Sequence, residues 1–261
     1  MNGAYALRDS RTMLRRNLRH LQRYPGLSLF PILMPVIFLL LFVYVFGGTL
    51  GNGITAGGGR AAYINFLTPG MLLFAIAGAA NITAISVSKD MTEGIIARFK
   101  TMRIWRPAVL AGHVMGSFIL TLISLAVTIA AALLIGYHAP AGVGRWLAAF
   151  GVLALLAIAL IWLSVALGLL AKSVETASNM PMFLFILPFL GSGFVPVASM
   201  PGGLRWFAEN QPFTPVTNTV RTLLGNQHVG STAVTAVVWC LVITAASYLW
   251  ARYLYNRRPV S

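Results

Sequence analysis

The feature that most limits what this chain can fold into is the placement of its charges. Its Arg, Lys, Asp and Glu residues stand in short clusters separated by long uncharged, mainly apolar runs. Those runs are long enough for helices that cross a bilayer core of ~30 Å, which takes ~20 apolar residues. A charge at the middle of such a helix costs roughly 2.5–3.5 kcal/mol on insertion scales, so charges bracket crossings rather than interrupt them. Read this way, the chain holds six spans, over 27–47, 66–88, 108–137, 146–171, 177–197 and 232–251. The expected fold class is an all-α integral membrane protein, with residues 1–261 as a single transmembrane domain. Charged residues make up only 9% of the chain, against roughly 25% in soluble domains, which excludes a water-soluble fold. Disordered chains are polar and highly charged, so the 58% hydrophobic fraction excludes disorder as well. Cys240 is the single cysteine, so neither an internal disulfide nor a cysteine metal cluster can form.

The net charge is +14. Such a balance often marks a nucleic-acid binder. Here the basic residues sit at the ends of apolar runs, where they set topology and meet lipid headgroups, and no nucleic-acid partner is expected. Six spans put both termini on one side. That side then receives the arginines from Arg8 to Arg23, the group from Lys89 to Arg106, Lys172, and Arg252 with Arg257 and Arg258. The other side receives only Arg60, Arg145, Arg205 and Arg221, a division of 15 to 4 among the 19 basic residues. The positive-inside rule places both termini in the cytoplasm. A five-span reading would carry the Arg252, Arg257 and Arg258 cluster across, and is rejected. The first span reads as retained, because the stretch before it is too long for a signal-peptide n-region and its apolar run exceeds an h-region.

Three segments outside the spans carry pattern. In residues 1–25, Leu7, Leu14, Leu18 and Leu21 fall on one helical face and arginines on the other, which predicts a helix lying in the cytoplasmic interface and broken at Pro25-Gly26. In the 89–107 loop, Asp90 reads as an N-cap with Glu93 at the third helical position, a variant of the capping box. Ile95, Phe99 and Met102 follow on one face, with Arg98 off it and Pro107 as the stop. Such a helix either turns at the interface or docks on a cytoplasmic partner. The 198–230 segment is too apolar for a plain loop. Pro201 can open one short helix through Trp206 and Glu209, and Pro215 a second through Arg221, with Pro212 and Pro215 between them. A helical pair re-entering the outer leaflet is expected.

The absences narrow the function. No lysine follows a glycine, so the chain lacks the G-x-x-x-x-G-K-[ST] loop whose backbone amides and lysine hold nucleotide phosphates. It has no HExxH motif and no G-x-S-x-G elbow, and its four histidines are scattered over both sides. No catalytic, cofactor-binding or metal site is therefore expected in this chain, which argues against a membrane-embedded enzyme. Asp9, Asp90, Glu93, Glu175 and Glu209 all fall outside the spans or at their ends, which argues against a proton-coupled secondary transporter. Uncharged polar residues within spans, among them Asn81, Ser117, Thr121 and Asn179, are candidate pathway residues. Asn81 leads, because a buried amide demands partners. A pathway without charge suits an apolar or amphiphilic cargo.

The stretches FVYVFGG (42–48), EGIIARFKTMRIWRPAVLAG (93–112) and SGFVPVASMPGGLRWFAENQPFTPVTNTVRTLL (192–224) resemble the type-2 ABC exporter permeases, above all the daunorubicin-resistance branch. The likeness covers nearly the whole chain. It implies a permease subunit in a bacterial plasma membrane that moves a hydrophobic drug or lipid-like compound outward. The resemblance further implies pairing with a second permease, the same chain or a paralogue, and with two cytoplasmic ATPase subunits that bind ATP and Mg. The loop from Glu93-Gly94 through Arg106 would be the helix that couples to the ATPase, although Arg103 stands where many members have proline. Glycolipid or polysaccharide export is the alternative cargo class in the same family. Outside it stands a permease that works without ATP.

Overall fold

The fold is described from a computed structural model that covers residues 12, 14–16, 19, 25–54, 58–95 and 107–257. Among the described residues the regular structure is entirely helical. The elements are α1 (Pro25–Leu41), a π-helix (Phe42–Phe46), α2 (Gly47–Ile54), α3 (Gly59–Thr92), α4 (Pro107–Leu134), α5 (Val143–Leu170), α6 (Val174–Asn179), α7 (Phe183–Ile186), α8 (Gly202–Asn210), α9 (Phe213–Leu224) and α10 (Thr232–Arg257). Thr12, Leu14, Arg15, Arg16 and Arg19 are also helical. Five helices are long and apolar enough to cross a membrane: the α1–π–α2 rod, α3, α4, α5 and α10.

Helix α3 is the axis of the bundle. It packs on α1, α2, α4, α5, α6 and α9, and 89% of its most apolar stretch is buried. The corresponding shares for the α1–π–α2 rod and for α10 are 22% and 17%. An apolar helix that buries so little of itself inside the protein has a bilayer as its natural surroundings. The reason α3 can be central is its run of small residues, Ala75, Ala77, Gly78, Ala79 and Ala80, which lets neighbours approach closely. At Gly70 the fit is complete: a Cβ there would stand 2.4 Å from the carbonyl oxygen of Gly193.

One backbone acceptor in the bundle is satisfied from a neighbouring helix. Pro35 lies inside α1 and has no N–H to give to the carbonyl four residues back. That carbonyl, Pro31 O, accepts instead from Ser124 Oγ of α4 at 2.7 Å. A proline that would weaken a helix in isolation thus fastens two helices together.

Two sequence expectations are corrected. The 177–197 run is not one spanning helix. It comprises the end of α6, a 3₁₀ turn over Met180–Met182, α7, and then turns through residue 194. Pro181, Pro188, Gly191 and Gly193 explain this, since each withholds a helical hydrogen bond or a side chain. Asp90 does not cap a new helix. It lies in the last turn of α3, and Glu93 and Gly94 end that helix, Gly94 with φ +68°, the left-handed conformation that glycine adopts freely. The break expected at Pro25-Gly26 falls at the edge of the described residues, where α1 is described from Pro25 onward.

Candidate functional site

The side chains of α1 and α3 that face each other do so at helical spacing. Phe30, Met34 and Phe38 come from α1, and Phe74, Gly78, Asn81 and Ile85 from α3. The turn-rich segment from Ser178 to Phe189 closes the third side. Together they enclose a cavity of about 800 Å³, whose lining contains no titratable side chain. Gly78 makes room: a Cβ at that position would sit 3.5 Å from both the Phe185 ring and Pro31. Phe30, Met182 and Ile186 on its lining are exposed.

The inner wall is aromatic. Phe74 meets Phe38, Phe185 and Phe189 edge to face, with centroids 5.3, 5.4 and 5.6 Å apart. Edge-to-face packing makes this wall a continuous aromatic surface, which suits an apolar molecule. Met34 and Met182 add side chains that reshape around an irregular ligand. Polarity comes from two amides and a hydroxyl. Asn81 is buried and donates from Nδ2 to Ser178 O at 3.3 Å, and Asn179 is exposed at the same wall. Of the four candidate pathway residues, the structure thus brings Asn81 and Asn179 together. Ser117 and Thr121 lie on α4 and do not line this cavity; Thr121 Oγ1 donates to Ser117 O at 2.9 Å, which satisfies its hydroxyl proton within the helix.

A second polar centre lies at the Thr92 end of α3. Asp90 accepts from Arg16 of the N-terminal helix and faces His113 Nε2 of α4 at 3.0 Å. Ser88 Oγ donates to Ser173 O at 3.2 Å, which ties the α5–α6 junction to the same end. Lys89 and Glu93 approach to 3.9 Å on the exposed side. Ile95 is half-buried. Arg98, Phe99, Met102 and Arg106 lie outside the described residues. Sequence reasoning missed Arg16 and His113 as partners of Asp90, because no periodicity links positions 16, 90 and 113.

At the opposite end stands the expected helical pair. Pro201 is the N-cap of α8, Pro212 the N-cap of α9, and Pro215 lies in the first turn of α9. On α8, Trp206 is exposed and Arg205 Nε donates to Glu209 Oε1 at 2.8 Å. Arg221 is half-buried in α9. It donates to Phe66 O, to Ser192 O at 2.6 Å and to Asn218 Oδ1 at 2.7 Å, and stacks 4.0 Å over the Phe66 ring.

Residues 8–224 match the model of the ABC-2 type transporter family. The chain belongs to that family. Among curated ABC-2 relatives, it is 30% identical over 222 residues to the daunorubicin resistance ABC transporter permease protein DrrB1 of Streptomyces coeruleorubidus, covering 85% of this chain and 76% of that one. It is 23% identical over 208 residues to a probable doxorubicin resistance ABC transporter permease protein, DrrC, of Mycobacterium tuberculosis, covering 80% and 74%. It is also 27% identical over 174 residues to ABC transporter G family member 20 of Dictyostelium discoideum, which is 64% of this chain but 23% of that much longer protein.

Proposed function

We propose that this chain is the membrane-spanning permease of an ATP-driven exporter, and that the cavity between α1, α3 and residues 178–189 receives an apolar, largely aromatic cargo. The observation that carries the cargo class is the lining itself: five phenylalanines, two methionines, two amides and no charge. A cationic or anionic substrate would find no counter-ion there, whereas a flat apolar molecule with one or two hydrogen-bonding groups would find ring contacts and Asn81 or Asn179. The names of the drug-resistance relatives point the same way.

Separate cytoplasmic subunits, two per complex, bind ATP with Mg and hydrolyse the ATP, beside a second permease that is either another copy or a paralogue. The chain sits in a bacterial plasma membrane with both termini in the cytoplasm. The end of α3 that carries Asp90, Glu93, Gly94 and Ile95, with the segment through Arg106, meets the ATPase. In support, this end gathers the N-terminal helix, α3, α4 and the α5–α6 junction through side-chain hydrogen bonds, so a push there reaches several elements at once.

The test is export of an anthracycline from membrane vesicles that contain the chain together with a cytoplasmic ABC ATPase subunit that co-purifies with it. Asn179→Trp, which fills the cavity mouth, and Phe74→Ala, which removes the central ring, should each lower export at least fivefold. Both should leave the ATPase bound to the membrane. Export that runs on a proton gradient without ATP, or full export by Asn179→Trp, would overturn the proposal.

A further inference from the structure

The short stretch around α7 has two faces. Met182, Phe185 and Ile186 line the large cavity. Phe183, Leu184 and Leu187 line a separate groove of about 510 Å³. Helix α10 packs on α5 and α9, whereas α7 packs on α3, and the groove is the space left between α7 and α10. Its floor includes Leu160, Leu184 and Phe213, all buried. Its edge includes Phe183, Val242 and Trp250, all exposed. The groove therefore opens sideways, on the face that α10 gives to the bilayer. No charged side chain lines it, and Ser247 supplies its single hydroxyl.

Two observations say what fills it. The first is length. Along α10 the lining runs Val242, Ile243, Ala246, Ser247, Trp250, one stripe that rises roughly 12 Å at 1.5 Å per residue. That is close to the depth of one leaflet, half of a bilayer core ~30 Å thick. The second is charge. Beyond Trp250 come Arg252 and Arg257, both exposed, with Arg257 4.4 Å over the Tyr253 ring. The end of α5 joins them, because Leu169 packs in one cluster with Ala251 and Tyr255, and exposed Lys172 follows three residues later. The first turn of α6 carries one exposed acid, Glu175, so three cations stand against one anion. Basic side chains at a membrane surface attract anionic headgroups, and aromatic rings beside them sit at headgroup level.

We infer that the groove holds one acyl chain of an anionic phospholipid, whose headgroup meets Arg252, Arg257 and Lys172. The lipid is a resident of the fold rather than its cargo. Its chain fills the space between the broken segment and α10, and backs α7 from the side away from the large cavity. The inference does not depend on what that cavity carries.

The experiment uses the full chain in phosphatidylcholine nanodiscs that contain a small fraction of phospholipid with brominated acyl chains, which quench tryptophan fluorescence on contact. The Trp250 signal is the difference between each protein and its Trp250→Phe counterpart. Brominated phosphatidylglycerol should half-quench that signal at a mole fraction at least fivefold lower than brominated phosphatidylcholine does. Ala246→Phe and Val242→Phe, which fill the groove from α10 at two different turns, should each abolish the preference. Arg252→Gln combined with Arg257→Gln and Lys172→Gln should abolish it too, while either lipid still quenches at high fraction. Equal half-quenching by the two lipids in the unsubstituted chain would reduce the groove to ordinary lipid contact and overturn the inference. So would a preference that survives both phenylalanines, since headgroup charge alone would then explain it. A Trp250 signal that neither lipid quenches would mean that a second copy of the chain covers the groove, and would defeat the assignment as well.

Discussion

Arg221 shows how one side chain can hold three pieces of backbone. Its planar fork reaches Phe66 O on α3, Ser192 O in the turn-rich segment and Asn218 on its own helix. A point charge such as Lys cannot satisfy three acceptors in different directions. Arg221→Leu would remove all three bonds; Asn218 Oδ1 keeps its bond from Ser192 Oγ, so the main orphan is Ser192 O, at about 1–3 kcal/mol. The expected outcome is a loss of about 1–3 kcal/mol, read as a fall in the thermal unfolding temperature of the purified protein in detergent. Arg221→Lys should recover only part of it. An unchanged melt in Arg221→Leu would mean that the turn-rich segment is held by packing alone. Asp90 plays the corresponding part at the other end, but its partner Arg16 is partly exposed, so solvent screens the pair. A double-mutant cycle of Arg16→Ala and Asp90→Asn should give a coupling of about 0.5–2 kcal/mol. A coupling near zero would show that the N-terminal helix is not fastened through this contact.

Among the elements, the contact between α3 and the turn after α7 is the tightest test of packing. Gly70→Ala places a methyl group 2.4 Å from Gly193 O, and the atoms it meets are backbone rather than the end of a flexible side chain. Overpacking of this kind costs typically 1–3 kcal/mol. Gly144→Ala, in the first turn of α5, meets nothing within 4 Å and should be neutral or slightly stabilising through helix propensity. Equal melts for the two variants would show that the α3 contact yields easily. The same segment explains what sequence pattern could and could not deliver. Five of the runs bounded by charge are long helices, because hydropathy over ~20 residues is a strong signal. The sixth run is as apolar, yet Pro181, Pro188, Gly191 and Gly193 dissolve its second half into turns, and a length rule weighs none of them. Asp90 was misplaced because an acidic residue near a loop reads equally well as a cap or as a last-turn residue. The deciding signal was Gly94, which stops a helix from its C-terminal side. Asn81 was legible because a helix offers a buried amide too few partners of its own. Thr121 satisfied its hydroxyl proton within its own helix, as a hydroxyl four residues from a carbonyl can. The Arg16–Asp90–His113 centre spans 74 and 23 residues of sequence, a distance at which no single-sequence periodicity operates.

Across the whole molecule, the two ends of the bundle differ in what they collect. Arg16 pairs with Asp90 in the last turn of α3. Near it, Ala251 and Tyr255 in the closing turns of α10 pack in one cluster with Val87, Leu110, Val165 and Leu169. The described part of the N-terminal helix and the C-terminal end of α10 therefore lie at one end. At the other end Arg145 donates to Gln227 O, His138 N–H to Asn65, and Arg221 to Phe66 O. A chain whose two ends meet on one side makes an even number of crossings. Five long helices alone would be odd, so the broken segment from α6 to residue 194 should supply the sixth crossing. It can do so without a continuous helix because its turns are covered by α3 and α9 rather than by lipid, the condition under which non-helical backbone is tolerated at membrane depth. The basic residues favour the Arg16 end as the cytoplasmic one, 15 of 19 falling there if the sixth crossing exists. Cysteines placed one at a time at Arg60, Arg145, Arg205 and Arg257, in a Cys240→Ser background, decide the matter with impermeant thiol reagents on intact cells. Positions 60, 145 and 205 should label from outside, and 257 only after the membrane is opened. Labelling of position 257 from outside, with 60 and 145 also labelled, would require the broken segment to turn back without crossing, and would undo the six-span topology.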